Sequence, residues 1–433
     1  MFSMLSSMIN GEYENNVAEI IPGRLDLMCF QGASPPSSPA TKDAVFFTVD
    51  RILNYEPFFA DFGPLNLGQL YRFCQIIEEK LQNPEYKGKK LILYTAKGPH
   101  KKANTGYLIA SYLVIVMNMS PEEAWNKIAH ISQGFIPFRD ASMQVCTYKL
   151  TILNCLKALA TATRLGWFNI ATFDIQQYEH LEKIENGDLN LIIPGKFVHF
   201  SGPSNAHRDP DGYPSKTPND YIETFKKLGV SDIIRLNKKC YDKCKFTKHG
   251  FQHHDMYFID GTTPSMAILE RFMSVCEQAK GMVAVHCKAG LGRTGTCVAC
   301  YMMKFYRLTA AEAIAWLRIC RPGSVLGPQQ EFLEDMQSVM WRENDKLRRS
   351  ASIVSDKKNL TAYNLEKQLQ NVKVSSDAAE LKDSKKAEEL ESQGDSLVHR
   401  KFEAQHRKSD AEIKFSSDLD FSDLPRPNLH TIE

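Results

Sequence analysis

A cysteine and an arginine separated by five residues, two of them glycine, stand in 286-HCKAGLGRT-294. The stretch joins an apolar run, 282-MVAVHC-287, to a helical-looking one. A strand, a glycine-rich turn and a helix N-terminus aim backbone N–H groups and the positive end of the helix at one point, which suits a bound phosphate. Two chemistries use that geometry. Gly290-x-Gly292-x-x-Gly295 spells a dinucleotide fingerprint, but the carboxylate expected about 20 residues later to hold a ribose is missing from 315-AWLR-318. The fingerprint also usually opens its domain, whereas here much of an α/β unit precedes it. A triphosphate loop needs Lys after its last glycine, and Gly295 is followed by Thr296.

Nucleophilic chemistry accounts for more residues. Cys287 can sit at the base of the loop while the amides of Lys288, Ala289, Gly290, Leu291, Gly292 and Arg293 face the oxygens of a tetrahedral anion. Beside the helix N-terminus the thiol is expected to be largely thiolate, the form that attacks. Arg293 can grip two phosphate oxygens with its planar fork. His286 can donate to the loop backbone, and Thr294 can hydrogen-bond the sulfur as it leaves. An inert packing role, the commoner fate of a buried cysteine, explains none of these neighbours. The signature resembles that of the cysteine-dependent protein phosphatases. Expelling a serine alkoxide also needs a carboxylic acid. Asp260 in 257-YFIDGTTPS-265, 27 residues before Cys287, is the candidate. Asp61 stands at the matching place upstream, so helix capping is the alternative role.

The elements that position these residues occur twice. A shift of 189 residues pairs 105-TGYLIASYLVIVMNMSPEEA-124 with 294-TGTCVACYMMKFYRLTAAEA-313 at six identical positions, where about one would arise by chance. Each copy reads as an apolar strand (90-KLILYT-95; 282-MVAVHC-287), a loop, an amphipathic helix, and a further helix capped by Ser120 or Thr309. Earlier helices near 65–82 and 264–279 complete an α/β alternation in each copy. In the first copy Thr95 replaces the cysteine and Asn104 the arginine, with eight residues between them, so that copy is expected to lack catalysis. The segment 147–190 between the copies reads as a helical linker.

Composition excludes several classes. The formal net charge of +2 makes no case for nucleic acid or an anionic membrane, and the longest apolar runs are too short to span a bilayer. Eleven cysteines without regular spacing, and an N-terminus lacking a signal-peptide pattern, indicate an intracellular, reduced protein. From Asp345 onward Trp, Cys and Met are absent and charged residues and serine dominate, which predicts disorder. A short helix near 363–369 is the exception considered. Cys240-x3-Cys244 with His249, His253 and His254 lacks a standard zinc spacing, and no metal or cofactor is expected. Ser34-Pro35 and Ser38-Pro39 read as exposed turns or regulatory phosphosites, and 347-LRRSAS-352 as a polar linker or a basophilic kinase site.

Residues 20–340 are similar to the cell-division-cycle-fourteen phosphatases, dual-specificity enzymes opposing cyclin-dependent kinases late in mitosis. The likeness rests on 59-FADFGPLNL-67, 137-PFRDAS-142, 178-YEHLEKIENGD-188, 193-IPGKFVHFSGP-203, 233-IIRLNKK-239, 257-YFIDGTTPS-265, 283-VAVHCKAGLGRTGT-296 and 319-ICRPGSVLGPQQEFL-333. It implies an α/β fold of two tandem tyrosine-phosphatase-like domains: an inactive one over 1–150, a helical linker over 151–190, an active one over 191–344, and a disordered regulatory tail over 345–433. It also implies phosphoprotein substrates carrying phosphoserine-proline with a basic residue beyond, received by an acidic groove of Glu179, Glu182 and Asp188. Gln329 or Gln330 would position the hydrolytic water. Roles in mitotic exit and cytokinesis follow, with nuclear and cytoplasmic, centrosomal, spindle or midbody location. The competing reading is a non-catalytic scaffold that tethers partners at mitotic structures.

Overall fold

The computed structural model describes residues 16–29, 42–95, 98–209, 211–358, 393–406 and 427. The two Ser-Pro pairs and the expected helix at 363–369 lie outside the described residues. Strands β1 (Val17–Ile21), β2 (Leu25–Cys29), β3 (Ala44–Phe47) and β4 (Lys90–Thr95) form one sheet in the order β1-β2-β4-β3. Strands β5 (Leu189–Ile193), β6 (Phe197–Phe200), β7 (Val230–Arg235), β8 (Gln252–Asp255) and β9 (Met282–His286) form a second, ordered β5-β6-β9-β7-β8. In both, the first two strands pair antiparallel with a register shift near their ends, and the remaining pairings are parallel. The repeat read from identities is thus a repeat of topology, with β8 added to the second sheet.

Helices follow the expected positions. They are α1 (Leu67–Gln82), α2 (Pro99–Ile115), α3 (Pro121–Ile128), α4 (Ile152–Arg164), α5 (Ile175–Glu182), α6 (Ile222–Leu228), α7 (Cys244–Thr247), α8 (Met266–Gln278), α9 (Gly292–Tyr306), α10 (Ala310–Cys320) and α11 (Gln329–Lys358). Ser120 with Glu123 and Thr309 with Glu312 close reciprocal capping boxes at the starts of α3 and α10. In each copy the helix after the central strand is buried on nearly all sides: α2 from Ala103 to Ile115, and α9 from Gly292 to Met303. Such helices are core elements rather than amphipathic covers.

The connecting segment does more than link. Leu156 and Leu159 of α4 are fully buried within a core cluster that runs through both copies, each contributing about 1.5–3 kcal/mol. Further on, Tyr178 donates its hydroxyl to the Cys320 carbonyl (2.9 Å) and Trp316 its indole N–H to that of Ile192 (2.9 Å). Two stretches of the tail that composition reads as disordered are helical. The last helix of the second copy, α11, continues through Asp345 to Lys358, and residues 393–406 form a separate helix. Its apolar residues are few, but Leu397 and Ala404 are buried against the folded part, and helical stability comes mainly from such packing.

Candidate active site

Strand β9 is central in its sheet, so the residue after it emerges at the carboxyl ends of the parallel strands, where α/β folds bind ligands. That residue is Cys287, 2% exposed. The loop behind it is held by its carbonyls. His286 Nδ1 lies 2.8 Å from the Cys287 oxygen, and Gly202 N–H donates to that of Lys288 (2.8 Å). Arg321 donates to those of Ala289 (2.8 Å) and Gly290 (3.0 Å). Gly295 N–H donates to Leu291 (3.0 Å) and the Thr296 hydroxyl to Gly292 (2.8 Å). Every carbonyl from Cys287 to Gly292 is therefore engaged from outside the loop. In a planar trans peptide the N–H points opposite to the C=O, so the amides of Lys288 through Arg293 turn away from the groups that hold those carbonyls.

Two glycines permit this. Gly290 has φ +68°, and a Cβ there would lie 2.1 Å from the Phe200 carbonyl oxygen. A Cβ on Gly202 would lie 2.2 Å from the Cys287 carbonyl oxygen. Gly290→Ala is accordingly expected to displace the loop and cost about 10²-fold or more in turnover, with a loss of about 1–3 kcal/mol in stability. Steady-state kinetics and thermal melting read both effects. Retention of parental kcat would contradict this account of the loop.

His286 is fully buried, and burial pushes its pKa down to about 3. A carbonyl only accepts, so the neutral ring carries its proton on Nδ1, and its Nε2 accepts from the Tyr241 hydroxyl at 2.8 Å. Tyr241 in turn accepts from His253 Nε2, also at 2.8 Å. Burial lowers the pKa of His253 to about 4. This neutral chain locks the loop entrance. Two of the other residues weighed as metal ligands have separate partners: His254 pairs with Asp232 (2.8 Å) and Cys240 accepts from the Asn237 amide (3.8 Å).

Arg293 is 3% exposed and donates to the Phe258 carbonyl (2.9 Å), while its Nε lies 3.1 Å from Asp260 Oδ1 without an aligned hydrogen bond. Asp260 sits on the turn between β8 and α8, and accepts from Gly261 N–H (3.1 Å). Burial raises its pKa even though Arg293 opposes the rise. A carboxyl held towards its protonated form is chemically able to donate a proton. Burial raises the pKa of Asp61 in the first copy as well, and its carboxylate differs only in its partners. It accepts from the Tyr55 hydroxyl (2.6 Å) and the Phe59 amide (2.8 Å), a bracing role within its own loop.

The remaining expected residues divide. Among the described residues, the buried Thr294 hydroxyl has no hydrogen-bond partner, so its expected bond to the sulfur is not formed. Gln330 accepts from Arg318 (2.7 Å) and donates to the Gly327 carbonyl (3.2 Å), whereas Gln329 donates to the Thr262 carbonyl (3.0 Å) on the turn carrying Asp260. Gln329 also borders the loop, since its Oε1 lies 2.9 Å from where a Gly292 Cβ would stand. Of the groove carboxylates, Glu179 pairs with Arg72 of α1 (2.9 Å), and Glu182 accepts from Asn66 (3.1 Å). Asp188 is buried and takes two bonds from Arg321 (2.8 and 2.9 Å).

Arg321, which sequence reasoning left without a role, is fully buried and ties Asp188 to the two loop carbonyls. Removing one partner would strand a buried charge at a cost of about 3–5 kcal/mol. The signal was its place in 319-ICRPGSVLGPQQEFL-333, but its partners are remote in sequence. The first copy also lines the site, because Phe58 and Ala141 pack with Ala289, Leu291 and Leu326. Its own strand ends in Thr95 where the second copy has Cys287. Thr95 and Thr105 both donate to Asp50 (3.3 Å), and Asn104 donates to the Phe62 carbonyl (2.6 Å), as Arg293 does to that of Phe258. The stretch expected to be a loop, 96–103, is helical from Pro99, whose fixed φ suits the first helical position.

The family described as "Dual specificity protein phosphatase, N-terminal half" matches residues 19–162, and "Dual specificity phosphatase, catalytic domain" matches residues 216–340. Human "Dual specificity protein phosphatase CDC14A" is 49% identical over 310 residues, 71% of this chain and 52% of that protein. Mouse "Dual specificity protein phosphatase CDC14B" is 48% identical over 323 residues, 75% of this chain and 66% of that protein. Human "Dual specificity protein phosphatase CDC14C" is 48% identical over 303 residues, 70% of this chain and 68% of that protein. The chain spans about half the length of the CDC14A proteins it matches.

Proposed function

The chain belongs to the CDC14 family of dual-specificity phosphatases, and from that premise we propose that it hydrolyses phosphoserine, phosphothreonine and phosphotyrosine in proteins through a cysteinyl phosphate. The observation that supports the reading is the loop after Cys287, whose carbonyls are held from outside and whose amides are thereby left free for an anion, with Arg293 buried at the start of the helix that follows. In the first step the Cys287 thiolate attacks phosphorus in line. The phosphorus–oxygen bond to the side chain breaks, and the leaving oxygen takes the proton of Asp260. In the second step water attacks the cysteinyl phosphate, gives its proton to the Asp260 carboxylate, and the thiolate departs. Gln329, between the loop and the Asp260 turn, is the better placed glutamine to orient that water. The loop amides and Arg293 balance the equatorial charge in both steps. Those donors supply the electrostatic role, so chelators are expected to leave the rate unchanged.

The first copy serves as a wall of the groove, and the second carries the chemistry. Substrates of the phosphoserine-proline class with a downstream basic residue suit the two neighbouring cavities lined by Asp188 and by Glu182, which meet at Lys401. Such substrates place the protein in mitotic exit and cytokinesis, inside the cell at the nucleus and at mitotic structures. A peptide panel that varies the proline and the basic residue tests this. Each replacement is expected to lower kcat/KM by about 10–100-fold. Equal rates across the panel would remove the substrate assignment, and no turnover of any phosphopeptide would remove the activity.

A further inference from the structure

The helix at 393–406 lies along the mouth of the site. Its sequence, 393-QGDSLVHRKFEAQH-406, places Gly394, Leu397, Lys401 and Ala404 at three- and four-residue intervals, hence on one face. That face is the one that docks. Leu397 is 5% exposed and packs with Phe58 of the first copy and with Ala289 and Leu291 of the phosphate loop. Lys401 pairs through Nζ with the Asp188 carboxylate. At the N-terminal end, a Cβ on Gly394 would lie 2.5 Å from Asp260 Oδ2 and 2.9 Å from the Lys288 Cβ, so only glycine fits against the acid. Asp395 pairs with Lys288 Nζ at 2.6 Å. The outer side is fastened too, by His399 on Asp209 (2.6 Å) and stacked on Tyr213 with ring centroids 3.8 Å apart.

The spacing is that of a substrate. Gly394 and Lys401 are separated by seven helical steps, about 10 Å at 1.5 Å per residue. An extended peptide covers that distance in about three residues. The helix thus sets a carboxylate, Asp395, beside the loop and a cation at the acidic wall, the two ends at which a phosphopeptide with a downstream basic residue would be held.

We propose that residues 393–406 are a resident occupant of the substrate groove, which phosphoprotein substrates must displace. The proposal rests on the phosphatase reading for what the groove receives, but docking can be measured without turnover. Tethering in the same chain gives the helix an effective concentration in the millimolar range, so modest contacts suffice to fill the groove.

The test compares the full chain with Leu397→Asp and Gly394→Val, which disturb the docked face at different points and alter no residue of either sheet. The first readout is the alkylation rate of Cys287 by iodoacetamide, followed by mass spectrometry. The second is kcat/KM on a phosphopeptide with a basic residue. Both variants are expected to raise both quantities about tenfold, and a synthetic 393–406 peptide is expected to reverse the gain competitively. Unchanged alkylation in both variants overturns the proposal, whatever the turnover. Faster alkylation in both with no phosphopeptide turned over upholds docking and overturns the phosphatase reading instead.

Discussion

Cys287→Ser is expected to lower phosphopeptide turnover by about 10⁴-fold or more, at least about 5.5 kcal/mol in the barrier, while substrate binding stays within about twofold. Serine nearly preserves the volume and leaves the held carbonyls and free amides as they are, so the phosphate is still held. What is lost is the sulfur nucleophile, because a hydroxyl is far harder to deprotonate and far less nucleophilic than a thiol. Turnover by single-substrate kinetics and affinity by calorimetry separate the two. Parental turnover in this variant would sink the mechanism. Burial above all pushes the thiols of Cys276, Cys297 and Cys300 upward, which suits packing groups.

The proposed phosphate-loop residues were legible because they are contiguous. Lys288 through Arg293 follow one strand and open one helix, and local order dictates their geometry. The duplicated sheet was legible for a similar reason. Its strands and caps recur at fixed offsets, and Ser120 and Thr309 announce helices through bonds three residues away. The replacement of the cysteine and arginine by Thr95 and Asn104 in the first copy was equally plain, although Pro99 turns the expected loop into helix, a change that those two residues alone do not show.

What stayed hidden depends on long-range partners. Arg321 is 133 residues from Asp188, and Tyr241 is 45 from His286. Neither pair has a periodic or spacing signature, since each is fixed only when sheets and helices have packed. The tail helix shows the same limit. Average composition predicted disorder, and 393–406 is helical because Leu397 and Lys401 find a wall and a carboxylate contributed by other parts of the chain. A segment with few apolar residues is ordered when a complementary surface is tethered nearby.

Asp260→Asn is expected to cost about 10²–10⁴-fold in kcat on a phosphoserine peptide, and much less on an aryl phosphate, whose leaving group departs without a proton. Protein-burial effects set the pH dependence. Burial raises the Asp260 pKa against the pull of Arg293, and the first step needs the protonated acid. The rate therefore falls as pH rises through that raised value, and the asparagine variant lacks this limb. Stability follows the same sign: folding favours protonated Asp260, so its contribution is complete below the ordinary carboxylate range and is lost as pH rises through the folded-state value. Part of the burial comes from the tail, since Gly394 lies against the carboxyl. Displacing the helix with Leu397→Asp rehydrates Asp260, so the alkaline limb moves to lower pH. Rate profiles of the three proteins decide the matter: a limb that survives Asp260→Asn and ignores Leu397→Asp belongs to another group, and the acid must then be sought elsewhere.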